Sequence, residues 1–149
     1  MTIDTTRGDQ IPVAVYGNLR AGYSGYQLLA GRIDAAADGV VDGHELVVDG
    51  LPFARPAAAG KLVVEVMWPL PHIYDSVLAD LDHHEGYRAG QEDDSLYARV
   101  PVTARTAAGD VEAWLYEAGR LIRSRLSRRA AVPSGDYADV RRGDWETVA

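Results

Sequence analysis

Leu96–Glu117 reads LYARVPVTARTAAGDVEAWLYE, two β-rich runs separated by Ala107-Ala108-Gly109-Asp110. Val, Thr, Tyr and Trp recur through both halves, and the small, Gly-containing break between them has the composition of a hairpin turn. The stretch predicts strands over Leu96–Thr106 and Val111–Glu117, antiparallel and adjacent. So short a connection does not suit a doubly wound parallel sheet, where a longer helix separates successive strands.

Outward from the hairpin, the rest of the chain agrees. Leu62–Trp68 (LVVEVMW) is the clearest single strand and stops at Pro69–Pro71. Ile11–Tyr16 (IPVAVY) predicts a short buried strand closed by Gly17, and His44–Asp49 predicts another. Asp34–Asp42, made largely of Ala, Gly and Asp, is expected to be a connection. Leu51-Pro52-Phe53 is expected to open an irregular stretch through Pro56 to Gly60. Only short helices intervene. Ser24 with Gln27 at capping-box spacing predicts one from Gly25 to about Arg32. Ile73, Val77 and Leu81 share one helical face, and Gly86 is placed to take the left-handed position beyond that helix. Tyr87–Asp94 is expected to be a polar loop, and a short helix is expected after Gly119. Ser134–Ala149 is turn-rich, and the first ten residues form a loose tail. Together these predict an α+β fold: one domain over residues 1–149, built on a small, mixed, barrel-like sheet with a few short helices.

Composition narrows the functional classes. The 149 residues are 47% hydrophobic and 25% charged, enough apolar content for a real core. A net charge of −7 argues against a general binder of phosphate backbones. No run of twelve residues lacks Asp, Glu, Lys and Arg, so no segment suits a membrane span. Met1–Gln10 has no apolar core, so no secretory leader is expected. The absence of Cys removes disulfides, thiol nucleophiles and thiolate metal sites together. A cytoplasmic protein is the expectation.

Two stretches stand out chemically. Val15–Gly22 (VYGNLRAG) is a strand that stops at a Gly and opens into a loop, a place where several backbone N–H groups can be aimed at one point. Such a concavity holds a carboxylate or an oxyanion without a cationic side chain, though most such connections are only turns. It lacks the Gly-Lys-Ser/Thr of a phosphate-binding loop and the G-x-G-x-x-G of a dinucleotide site. Glu85 lies where the chain leaves a helix. The negative end of the helix and partial burial would both lift its pKa toward neutral, as a general acid/base requires, while His83 and His84 would oppose the shift if charged. It is also one acid among 22.

Other groups are weaker. His72, His83, His84 and Glu85 do not have zinc spacing, and adjacent helical residues diverge by roughly 100°. Arg120, Arg123, Arg125, Arg128 and Arg129 lack interleaved aromatics and read as a solvated face. Glu92-Asp93-Asp94 reads as an exposed loop. The serines are in no G-x-S-x-G elbow.

Taken in order, Tyr16-Gly17-Asn18-Leu19-Arg20, Leu81-Asp82-His83-His84-Glu85-Gly86-Tyr87, Tyr97-Ala98-Arg99-Val100 and Ala113-Trp114-Leu115-Tyr116 resemble the γ-glutamylcyclotransferase-like (AIG2-like) superfamily. The likeness runs from about Val13 to Glu117. It implies one pocket in a barrel-like fold, with the glutamyl group bound by backbone amides of Tyr16, Gly17, Asn18 and Leu19. It further implies Glu85 as the catalytic carboxylate and Tyr116 as a pocket wall. The implied substrate is a small γ-glutamyl amide, converted to 5-oxoproline and a free amine without cofactor or metal. Neither nucleic acid nor membrane is an implied partner, and a monomer or homodimer is expected. Asn18 stands where many relatives have Thr, and the loop from Glu85 to Tyr97 is longer and more acidic than usual. Gly143-Asp144-Trp145 resembles the ending of some relatives but is given no role. A non-catalytic small-molecule-binding module of the same fold is the alternative, and an interaction protein using the arginine cluster is a third.

Overall fold

The computed structural model describes residues 10–91, 94–127 and 130–140. Along them run β1 (Val13–Val15), β2 (Ile33–Asp49), β3 (Leu51–Pro69), α1 (Tyr74–Glu85), β4 (Tyr97–Thr106), β5 (Gly109–Ala118), α2 (Arg120–Arg123) and β6 (Ala131–Val132). The hairpin of residues 96–117 is present as β4 and β5, in register from Tyr97↔Ala118 to Thr106↔Gly109.

Five strands close into a barrel. β1 pairs antiparallel with β3 (Val13↔Met67), β3 with β2 (Val40↔Val63), and β2 with β4 (Val41↔Ala104). After the β4–β5 hairpin, β5 returns to β1 in parallel (Val13↔Trp114), which completes the circuit. β6 adds to β2 through Leu46↔Val132. Closure leaves these strands few unpaired backbone groups, the usual liability of an open sheet.

The period of two along each strand divides the core. Ala14, Leu62, Val64, Val66 and Leu115 belong to one buried cluster, with Tyr16 and Tyr137. Val13, Val15 and Met67 face the other way and pack against Val77, Leu78 and Leu81 of α1. Each such burial is worth about 1.5–3 kcal/mol against exposure, which matters for a twelve-residue helix that would be marginal alone.

Three expectations need correction. Residues 34–42 are not a connection but the first half of β2, paired with β3 from Ala35↔Trp68 to Asp42↔Lys61. Ala, Gly and Asp have little intrinsic strand preference; the ladder with the Val-rich β3 imposes the conformation. The stretch from Leu51 to Gly60 is likewise inside β3, with one irregularity. After Asp42↔Lys61 the next pair is His44↔Pro56, so β3 runs through residues 57–60 while β2 uses only Gly43. That bulge bends the outer part of the hairpin. Finally, Ser24 does not cap a helix running to Arg32. A single 3₁₀ turn spans Ser24–Leu28 behind Tyr23, and the Ser24 hydroxyl donates to Asn18 Oδ1 at 3.0 Å.

Candidate active site

Gly17 to Arg20 is a β-turn, closed by the Arg20 N–H on the Gly17 carbonyl at 3.0 Å. Such a turn leaves the N–H groups of its two central residues, Asn18 and Leu19, outside its own hydrogen bond. The turn is held from behind. Glu65 on β3 accepts the Ala21 N–H at 2.8 Å and lies 3.6 Å from Arg20 Nε, while Arg20 Nη1 donates to Asp136 Oδ1 at 2.7 Å. Gly17 is packed so closely that a Cβ there would lie 2.7 Å from Pro52 Cγ.

Glu85 is the last residue of α1, and its position is fixed by the cap. Gly86 adopts φ 68°, ψ 30°, the Gly86 N–H bonds the His83 carbonyl at 3.2 Å, and the Tyr87 N–H bonds the Asp82 carbonyl at 2.9 Å. This Schellman closure turns the chain away and leaves the Glu85 carboxyl facing a cavity of about 250 Å³. The Tyr16–Leu19 turn, Leu51 and Pro52, Leu96 and Tyr97, and Tyr116 complete the walls. Burial disfavours the carboxylate and pushes Glu85 up to about 7.

Tyrosines surround the carboxyl, and each is tied elsewhere. The Tyr16 hydroxyl donates to the Tyr116 carbonyl at 2.6 Å and accepts the Ala54 N–H at 3.0 Å, bridging β5 and β3 just beyond the end of β1. Tyr97 donates to the Pro52 carbonyl at 2.7 Å and stacks on Phe53. Tyr116 donates to Asp82 Oδ1 at 2.7 Å. All three phenols are pushed upward, first by burial and also by the Glu85 charge, so they stay protonated hydrogen-bond donors.

The structure thus brings Glu85, Tyr16, Gly17, Asn18, Leu19 and Tyr116 to one cavity. Asn18 is exposed there and Gly17 and Leu19 are buried. Sequence reading missed Asp82, which sits one turn before Glu85 on the same helix and so was detectable by spacing. It missed Tyr97 as a wall although the motif containing it was in view. Leu51 and Pro52 left no local signal, because they reach the cavity only through the bent hairpin.

The remaining candidates lie apart. His83 and His84 are exposed, with His84 at the cavity rim, and His72 is in the 3₁₀ turn Pro71–Ile73. Among the described residues no three His, Cys, Asp or Glu side chains gather as metal ligands do. In the arginine cluster, Arg123 Nη1 lies 3.3 Å from Glu117 Oε2, which also meets His44 Nε2 through Oε1 at 2.9 Å. Arg128 and Arg129, the acids Glu92 and Asp93, the first nine residues and Gly143-Asp144-Trp145 lie outside the described residues. Among the described residues no helix is long and apolar enough to cross a membrane.

A family model described as gamma-glutamyl cyclotransferase, AIG2-like, matches residues 13–145. No curated protein matches the chain. Among solved structures, the fold is similar to uncharacterized protein PH0828 from Pyrococcus horikoshii, with TM-score 0.61 and 25% identity over 87% of this chain and 91% of that one. It is also similar to YkqA from Bacillus subtilis, with TM-score 0.60 and 21% identity over 85% of this chain and 39% of that one. At5g39720.1 from Arabidopsis thaliana superposes with TM-score 0.57 at 17% identity, over 93% of this chain and 81% of that one.

Proposed function

The chain belongs to the γ-glutamyl cyclotransferase, AIG2-like family, and from that premise we propose that it is an active cyclotransferase with Glu85 as its general acid/base. The observation that carries this reading is the meeting of two groups in one cavity. A carboxyl pushed up to about 7 faces the same space as a turn with two uncommitted amides.

On this reading the substrate is a small γ-glutamyl amide, a γ-glutamyl amino acid or γ-glutamyl amine. Its α-ammonium gives a proton to Glu85, and the freed amine attacks the γ-carbonyl carbon. Amides of the Tyr16–Leu19 segment hold the α-carboxylate or the developing oxyanion. The amide nitrogen of the tetrahedral species takes the proton back from Glu85 and leaves. Glu85, ionised again, removes the second proton from the ring nitrogen and passes it to the departing amine, which is released as its ammonium ion. The products are 5-oxoproline and a free amine, and neither water nor redox partner is consumed. Holding amine and carbonyl in line contributes up to about 7–11 kcal/mol, and the carboxyl typically adds 10²–10⁴-fold. A pKa near working pH lets one group both accept and return the proton. Tyr116 forms part of the pocket wall. The protein works in the cytoplasm, as a monomer or homodimer.

The test is 5-oxoproline release from a panel of γ-glutamyl amides by wild type and Glu85→Gln. Product from wild type, reduced at least a hundredfold in the variant, is expected. Equal product from both would remove Glu85 from the mechanism. Silence from wild type, with ligand-induced thermal shifts retained, would make the protein a binding module.

A further inference from the structure

The two ends of the cavity differ. Ala14, Val15 and Tyr16 wall the buried end, whereas Leu51 and Leu96 stand on the rim at 47% and 37% exposure. Single exposed leucines are ordinary on a protein surface. Here two of the three large exposed hydrophobics among the described residues flank one opening, with Pro52 between the rim and the Gly17 turn. Both leucines are held in place. Leu51 follows Gly50, the φ +74° residue at the tip of the β2–β3 hairpin. The carbonyl of Leu96 accepts the Gly119 N–H at 2.8 Å, and its neighbour Ser95 is buried, donating to the Gln91 carbonyl at 2.9 Å.

Charge is the second observation. None of the residues lining the cavity is Lys or Arg. The basic side chain on the rim is an imidazole, that of His84, and not a guanidinium or an ammonium. Glu85 is the carboxylate of the lining. Amides of the Gly17 turn can serve one anionic group, and among the described lining residues no second such group lies at the rim.

Resting on the cyclotransferase reading, we infer that the leaving amine carries an uncharged, apolar alkyl or aryl substituent, seated between Leu51 and Leu96. A leaving amino acid or peptide would bring a carboxylate to an apolar rim that, among the described residues, offers no guanidinium or ammonium in its lining. The glutamyl part must reach the turn amides and Glu85, so the leaving group points outward along the leucines. Leu51 stands at the tip of the β2–β3 hairpin, so the hairpin tip sets specificity.

The experiment measures 5-oxoproline at pH 8 from γ-glutamyl ethyl-, butyl-, hexyl- and benzylamides, with γ-glutamyl-leucine and γ-glutamyl-glutamate as anionic comparators. For wild type, kcat/KM should climb along the alkyl series by up to about fourfold per methylene. The butylamide should exceed γ-glutamyl-leucine by at least about tenfold, a gap of 1.4 kcal/mol. Leu51→Ser and Leu96→Ser, both at exposed positions, should flatten the alkyl series mainly through KM. A flat series in a wild type that turns over, or preference for γ-glutamyl-glutamate, would overturn the apolar leaving group alone. Silence with every donor would overturn the cyclotransferase reading, and this inference with it.

Discussion

The Tyr116 phenol on β5 donates a 2.7 Å hydrogen bond to Asp82 Oδ1 on α1. Arg99 Nε lies 3.0 Å from the same oxygen, and the Arg99 guanidinium sits over the Trp114 ring, 4.5 Å from its centroid. Strand and helix are therefore joined one turn ahead of Glu85. Asp82→Ala removes an acceptor from a largely buried hydroxyl and is expected to cost about 1–3 kcal/mol. Asp82→Asn keeps an acceptor oxygen and should cost less. Chemical denaturation of both variants checks the order, and unchanged stability in Asp82→Ala would show the contact to be idle.

In the proposed mechanism Glu85 must be ionised to take the substrate proton. Its pKa is pushed up to about 7 by burial, so kcat/KM should rise through pH 7 and fall about tenfold per unit below it. The pH–rate profile on one γ-glutamyl amide measures this. An acid limb near the ordinary glutamate value would mean that the carboxyl is solvated.

The same shift has a cost in folding. A carboxyl whose folded pKa exceeds its unfolded 4.5 binds its proton more tightly in the native state. The penalty is absent below the unfolded value, grows as pH rises through the window from 4.5 to about 7, and is complete above it. At pH 8 it amounts to roughly 3 kcal/mol at most. Glu85→Gln should therefore be inactive yet more thermostable than wild type at pH 8, with the difference vanishing toward pH 4.5. Melting curves at the two pH values decide it.

Tyr16→Phe deletes a hydroxyl that serves two buried backbone groups, the Tyr116 carbonyl and the Ala54 N–H. Both would lose their partner, so a loss of about 2–4 kcal/mol is expected in urea unfolding. A loss below 0.5 kcal/mol would show that water replaces the phenol readily.

Gly25→Ala tests the turn from a distance. A Cβ at Gly25 would lie 2.8 Å from the Asn18 carbonyl oxygen, which is main chain and can move only with the turn. Displacing the central amides should lower kcat/KM by about ten- to a hundredfold while the fold persists. Wild-type kinetics from this variant would separate Asn18 and Leu19 from substrate binding.

Much of the fold was legible wherever a side-chain period coincided with local preference. LVVEVMW, the residue 96–117 hairpin and the Val77–Leu81 face all became the elements they suggested. What was not legible was imposed from outside the segment. Asp34–Asp42 becomes a strand because β3 offers it a ladder, and Ser24 abandons its capping geometry for Asn18. The same division holds at the site. Glu85 and the Gly17 turn were recognisable from local chemistry and family likeness. Leu51, Pro52, Glu65 and Asp136 reach the site from other elements across the fold, so no window of sequence contains the reason.

The parallel pairing of β1 with β5 sets an order of events in time. Val13 meets Trp114, and the Tyr16 hydroxyl meets a carbonyl 100 residues later in the chain. During synthesis β1 and the turn after it emerge well before their second partner strand, β5, which follows about 100 residues later. Closing so long a loop is the slow, entropically costly step of such a topology. The nascent protein consequently carries an open barrel until β5 clears the ribosome, and closure of the barrel and arrival of the Tyr116 wall of the cavity are the same event.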